Sequence, residues 1–193
     1  MWQTVIGAAL GIAATLIGAY FTSKFQLAGQ LRLQRLQNQQ QVLSRLMGRK
    51  FVTRQLLVSR YEALVFSDYH EARWKLAGEP TDSLDLREAQ RFMHRSEDLV
   101  FELTKSFQAL FEDLGLVLTL FPASKRLDEL VQRIYNFKSI KAAAVPAGAP
   151  VGQLAKWKDE AVRQMQNLVD REYDNAIQEL IDYLQKELRT QTD

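Results

Sequence analysis

The most regular pattern in the sequence is a run of mostly apolar residues that recur three and four positions apart between residues 86 and 121. The run consists of Leu86, Ala89, Met93, Ser96, Val100, Leu103, Phe107, Leu110, Leu114, Val117 and Phe121. A helix of about 3.6 residues per turn places all of these side chains on one face, as in a coiled coil. We predict a long amphipathic helix with its seam centred on Leu103, Phe107, Leu110 and Leu114. Other apolar residues beside this seam widen it, so we expect the helix at the centre of a bundle.

The same spacing predicts three further helices. No proline interrupts residues 23–76, and the Gly-Glu-Pro sequence at 78–80 ends that helix. Residues 81–83 supply N-cap side chains for the central helix, and Ser124 caps a third helix over 124–140. A final helix is predicted over 153–188, after a flexible loop of small residues, proline and glycine at 142–152. No segment predicts a strand, and the expected fold class is all-α with an antiparallel helical bundle.

The N-terminal segment is apolar over residues 4–22 and uncharged over residues 1–23. About 20 residues of helix cross a hydrocarbon layer of about 30 Å, so we predict a transmembrane helix that continues into the long helix. The basic residues that follow place the N-terminus outside and the C-terminal domain in the cytoplasm, at the inner membrane. A cleavable signal peptide would carry basic residues before the apolar run, which makes it the weaker alternative. A buried apolar helix of a soluble protein is the other alternative.

Small residues form a stripe within this predicted span: Gly7, Gly11, Ala14 and Gly18. Close backbone approach along such a stripe favours helix association in lipid. We therefore predict self-association of the anchor through this face. Glycine and alanine are also common in membrane helices that do not associate, and this alternative stays open.

Charge is unevenly distributed along the chain. The eight charged residues before Glu62 are all basic, whereas 17 basic and all 23 acidic residues follow from that point. We define a basic stalk over residues 24–60, whose candidate binding residues are Arg32, Arg35, Arg45, Arg49, Lys50 and Arg54. Contact with lipid headgroups would involve only its first residues, since charge is screened within about 10 Å. Nucleic-acid binding is disfavoured because aromatic residues are not interleaved. The acidic remainder, in the same chain or a neighbouring copy, is the third possible partner.

Candidate chemistry is sparse. The sequence has no cysteine and two histidines, His70 and His94, and it lacks the common nucleotide-binding, hydrolase and metal-binding motifs. Each histidine neighbours acidic residues, as is typical of a helix surface. The aromatic residues Phe92, Phe101, Phe107 and Phe111 either line a ligand pocket or pack in the core, and we favour the core. We expect no enzymatic activity, no cofactor and no metal ion.

These observations lead to a hypothesis about function. We expect a non-enzymatic single-pass membrane anchor or scaffold, an oligomeric or accessory subunit of a membrane-associated complex, which docks partner proteins through its cytoplasmic bundle. Its divisions would be residues 1–23, 24–60 and 61–193. Its expected partners are membrane lipid, copies of itself and other proteins of that complex, with no small-molecule substrate. The alternative is an oligomeric effector that perturbs the bilayer when the bundle is triggered. A ligand sensor is a third class, for which the sequence offers no convergent polar groups.

Overall fold

The computed structural model describes residues 2–137 and 143–192, and the side chains of residues 22–137 and 143–191. Every regular element in these residues is a helix, which confirms the all-α fold and the helical bundle. The chain divides into two compact units, Met1–Gln41 and Val42–Asp193. The boundary between them falls inside the predicted stalk of residues 24–60.

The first unit is the N-terminal part of helix α1, which runs over Trp2–Leu76. Four large apolar side chains of this unit are exposed over more than half of their surface: Phe25, Leu27, Leu31 and Leu33. Arg32 and Arg35 of the predicted stalk also lie here and are exposed. The predicted packing face of Gly7, Gly11, Ala14 and Gly18 lies outside the residues whose side chains are described.

Among the described residues, no helix combines the length and the apolar character that a membrane crossing requires. The prediction of a single-pass anchor at the inner membrane is therefore wrong on this finding. The membrane scaffold and the bilayer-perturbing effector both depended on the anchor, and both lose their basis with it.

The second unit contains the rest of α1 and the helices that follow it. These are α2 Leu84–Leu120, α3 Lys125–Tyr135, α4 Val151–Val169, a π-helical turn Asp170–Asp174, and α5 Asn175–Thr192. Asp170 and Asn175 both keep right-handed helical dihedral angles, so α4, the π turn and α5 form one continuous rod. The predicted final helix is thus correct in extent, but the sequence pattern did not show its π turn.

Local side chains determine where two of the helices begin. Ser83 is extended, and its hydroxyl accepts a hydrogen bond from the Asp85 backbone N–H, as predicted for the start of α2. Ser124 caps α3 in the same way by accepting from Leu127 N–H at 3.1 Å. The predicted third helix is too long: α3 ends at Tyr135, and residues 138–142 lie outside the described part of the chain.

Side-chain pairs show that neighbouring helices of the bundle are antiparallel. Between α1 and α2, Thr53 contacts Ser106 and Ser67 contacts the carbonyl of Ala89, so residue numbers rise on one helix as they fall on the other. The α4–α5 rod runs antiparallel to α1 in the same manner, with Lys50 near Asp174 and Glu62 near Gln166. Arg133 and Ser124 of α3 contact Glu179 and Tyr183 of α5. The bundle therefore contains four rods.

The core lies between these rods and is aliphatic at its centre. Its fully buried residues include Leu46, Leu57, Leu110, Leu114, Leu127, Ile134, Ile177, Leu180, Ile181 and Leu184. Of the four seam residues, Leu103, Leu110 and Leu114 are buried and Phe107 is partly buried. The N-terminal part of the seam is more open, since Met93 and Val100 are exposed.

We predict that Ser124→Ala lowers the free energy of unfolding by about 1 kcal/mol, because the N-cap acceptor of α3 is lost. The Ser124 hydroxyl also bonds to Tyr183 Oη at 2.8 Å. Tyr183→Phe removes that bond and keeps the cap, so it serves as the matched control. Urea denaturation followed by circular dichroism measures both variants. Equal losses in the two variants would contradict the assignment of the effect to the cap.

Candidate functional site: an aromatic groove and a buried acid

Four residues of the predicted basic stalk lie in the bundle and face acidic residues of the same chain. Arg45 and Arg49 both approach Asp113 of α2, at 3.1 and 3.5 Å. Lys50 pairs with Asp174 at 3.0 Å. Arg54 Nε donates to Asp170 at 2.7 Å, and this hydrogen bond raises the pKa of the Arg54 guanidinium. Lipid headgroups, nucleic acid and the acidic part of the chain were the three possible partners of these residues. In the structure, acidic residues of the same chain lie beside all four.

The sequence patterns did not identify Asp113, a buried acidic residue between α1 and α2. It lies in an apolar stretch of α2 next to the seam residue Leu114, and only 4% of its surface is exposed. A buried carboxylate needs a cationic or hydrogen-bonding partner, because its desolvation is costly. The sequence does show an acidic residue surrounded by Leu and Phe. The arginines that pair with Asp113, however, lie more than 60 residues away on α1.

A second polar contact lies deeper between the same helices. Thr53 and Ser106 are both buried, and their hydroxyl oxygens are 2.5 Å apart. Tyr173, in the π turn, lies beside Thr53, with no described residue in hydrogen-bonding geometry to its hydroxyl. Burial raises the pKa of the Tyr173 phenol, which keeps this group neutral. These groups come from three helical segments and do not form a nucleophile and base pair.

A groove of about 710 Å³ lies between α1, α2 and the end of α3. Its apolar walls are Leu57, Tyr61, Leu103, Phe107, Phe111, Ile134 and Phe137. Two of the four predicted seam residues, Leu103 and Phe107, therefore line a solvent-open surface. The remaining two, Leu110 and Leu114, belong to the closed core.

Aromatic contacts give the groove a stiff wall. The ring of Phe107 lies 5.8 Å from Phe111 and 6.0 Å from Tyr173, centroid to centroid. Phe137 packs edge-on against Tyr173 at 5.6 Å, and Phe111 packs against Tyr135 at 4.9 Å. Such offset and edge-to-face pairs stabilise fixed ring positions.

The predicted aromatic stripe does not stay together. Phe107 and Phe111 line the groove, whereas Phe92 stacks between Phe66 and His70 at the other end of α2. Phe101 is 63% exposed and lies under the ammonium group of Lys105. Phe107 and Phe111 thus both line the groove and pack partly against the core, whereas Phe101 does neither.

Polar side chains lie at the rim of the groove. Thr104 donates its hydroxyl proton to the Val100 carbonyl, and Gln108 donates to Glu112 at 3.2 Å. Arg60 extends from α1, and its Nε is buried without an acceptor among the described residues. Its guanidinium carbon lies 6.0 Å from the centre of the Tyr61 ring.

Comparison of the chain with protein-family models, with curated proteins and with solved structures finds no match. The site is therefore interpreted from its own geometry. Among the described residues, no cluster of three or more His, Asp or Glu side chains is arranged to hold a metal ion. The groove instead offers apolar surface and a few polar groups at one margin, which is the composition typical of a ligand-binding site.

We predict that two changes around Asp113 have unequal costs. Asp113→Asn leaves Arg45 and Arg49 without a charge partner, but both side chains are 42% exposed and regain water. We expect a loss of about 1–2 kcal/mol in the free energy of unfolding. The double variant Arg45→Met with Arg49→Met leaves the carboxylate buried and unpaired, and we expect about 3 kcal/mol or more.

Chemical denaturation at neutral pH measures both variants. Arg126→Met, which removes a surface ion pair to Glu179, is the control and should cost less than about 1 kcal/mol. If the double variant is no less stable than Asp113→Asn, then the arginines do not compensate the buried charge.

Proposed function

We propose that the bundle of Val42–Asp193 is a non-enzymatic binding module that takes a ligand with an apolar body into the aromatic groove. The observation that supports this function is the groove itself, whose volume of about 710 Å³ lies in the range of small-molecule sites. Its walls are mainly aromatic and aliphatic, and its polar groups are confined to the rim.

The energetics of such a site favour binding. A ligand that buried about 200 Å² of apolar surface would gain about 5 kcal/mol before the costs of association are subtracted. Because Phe107 and Phe111 are held by neighbouring rings, little side-chain freedom is lost on binding. A gain of this size corresponds to sub-millimolar or weaker affinity, without any rearrangement of the bundle.

The polar groups at the rim favour binding over catalysis. The Thr104 hydroxyl is occupied by the backbone of its own helix, and Glu112 is occupied by Gln108. Neither group is directed by a base or an acid partner toward a reacting atom, as a catalytic site requires. The proposed role is therefore recognition.

We also propose self-association through the first unit. The exposed Phe25, Leu27, Leu31 and Leu33 support this second function, because an isolated helix with large apolar side chains gains from a helical neighbour. Leu27 and Leu31, four positions apart, share one face of this helix, and Phe25 and Leu33 lie on another. Another copy of this chain offers the same helix as its partner.

We predict that the full chain binds the neutral fluorescent probe N-phenyl-1-naphthylamine saturably, at one site. Thr104→Trp fills the groove and should weaken this binding at least tenfold. Thr119→Trp is the matched control, since Thr119 is an exposed threonine of the same helix that does not line the groove. Fluorescence titration measures all three proteins. Unsaturable binding, or an equal effect of both tryptophans, would contradict the groove as the site.

We predict that the full chain sediments above its monomer mass of 22.2 kDa. Leu27→Glu with Leu31→Glu places charge on the exposed apolar positions and should shift the chain to monomer. Gln26→Glu with Gln30→Glu adds the same charge at the same spacing, about 100° around the helix, and should have a smaller effect. Sedimentation velocity over a concentration series measures the three. A monomeric parent chain would contradict the proposed self-association.

A further inference from the structure

The groove is lined by Arg60, a half-buried cationic residue with no ion pair among the described residues. Arg60 lines the groove, and its Nε is shielded from water and has no hydrogen-bond acceptor there. Buried N–H groups nearly always have an acceptor, and those of a charged group are the most costly to leave without one. A cationic side chain that lines an apolar groove, and that has no carboxylate partner among the described residues, favours a ligand that carries an anionic group.

Other arginines of α1 show how this chain normally treats a guanidinium. Arg45 and Arg49 share Asp113, and Arg54 has Asp170. Arg60 follows Arg54 by less than two helical turns, yet among the described residues no carboxylate lies within ion-pair distance of it. Arg60 lines the groove. An anion bound in the groove would give Arg60 the charge partner that the other three arginines have within the chain.

We infer that the ligand of the groove is an anionic amphiphile, an organic carboxylate with an apolar chain, whose carboxylate pairs with Arg60. This inference rests on the proposed binding function and names its ligand class. A guanidinium binds a carboxylate through parallel hydrogen bonds, which gives the ligand a defined orientation. The apolar chain then lies along Leu103, Phe107 and Phe137.

The one carboxylate that lines the groove lies at a distance from Arg60. In the antiparallel register set by Thr53 and Ser106, Arg60 is displaced seven residues one way along the bundle, and Glu112 is displaced six residues the other way. Their backbones are thus about 20 Å apart along the helix axes. The groove has a cationic end and an anionic end, and a monoanion binds with its head at Arg60 and its tail directed toward Glu112.

Two ligands with the same tail separate this inference from the proposed function. Decanoate and 1-decanol compete with N-phenyl-1-naphthylamine for the full-length protein at pH 8, below their aggregation concentrations. We expect decanoate to bind at least tenfold more tightly than 1-decanol. Arg60→Met should remove this difference, and Arg60→Lys should retain part of it.

Arg95→Met is the control, because Arg95 is an exposed arginine of α2 outside the groove. Circular dichroism confirms that each variant keeps the parent helix content. Equal affinity for decanoate and 1-decanol, or a preference for decanoate that survives in Arg60→Met, overturns the inference about the ligand. Saturable probe binding would in that case still support the proposed binding function. Absence of probe binding overturns both.

Discussion

The bundle depends on burying one helix on two sides. Residues 42–76 of α1 lie between α2 and the α4–α5 rod, and Leu46, Leu57, Tyr61 and Val65 of this segment are all buried. A helix covered from two directions needs apolar positions around more of its circumference than a surface helix does. The α2 helix and the α4–α5 rod take their places from this one, because each runs antiparallel to it, and α3 packs on α5 and α2. The groove is bounded by the same helix.

Ion pairs along α1 contribute more to register than to stability. The partners of Lys50 and Arg54 are partly exposed, and exposed pairs add little free energy. Asp113 differs because it is buried, so any slip of α2 along α1 would leave its charge without Arg45 and Arg49. The cost of that slip makes one alignment of the two helices favourable over its neighbours. The charged residues before Glu62 are all basic and the acidic residues all lie from that point on, and the fold brings some of each into contact.

Patterns in the sequence correctly predicted the features that depend on residues only a few positions apart. The extent of α2 and the capping roles of Ser83 and Ser124 followed from spacing and hydrogen-bonding capacity within a few residues. The π turn at Asp170–Asp174 left no such trace, because an extra residue in a helix depends on what packs around it. The role of Asp113 required knowing which helix faces α2. The membrane anchor was inferred from hydropathy alone, and the described helices do not support it.

The groove follows from unequal helix lengths. The 11 residues of α3 span about 16 Å, whereas the 37 residues of α2 span about 55 Å, so α3 covers only the C-terminal part of α2. Tyr135 at the end of α3 already contacts Phe111, and the α2 residues before that point, including Phe107 and Leu103, extend past the covering helix. Larger apolar side chains at the rim would have closed this space at little cost. The chain instead has Thr104, Gln108 and the half-buried Arg60 there, which is a poor arrangement for a core and a suitable one for a ligand.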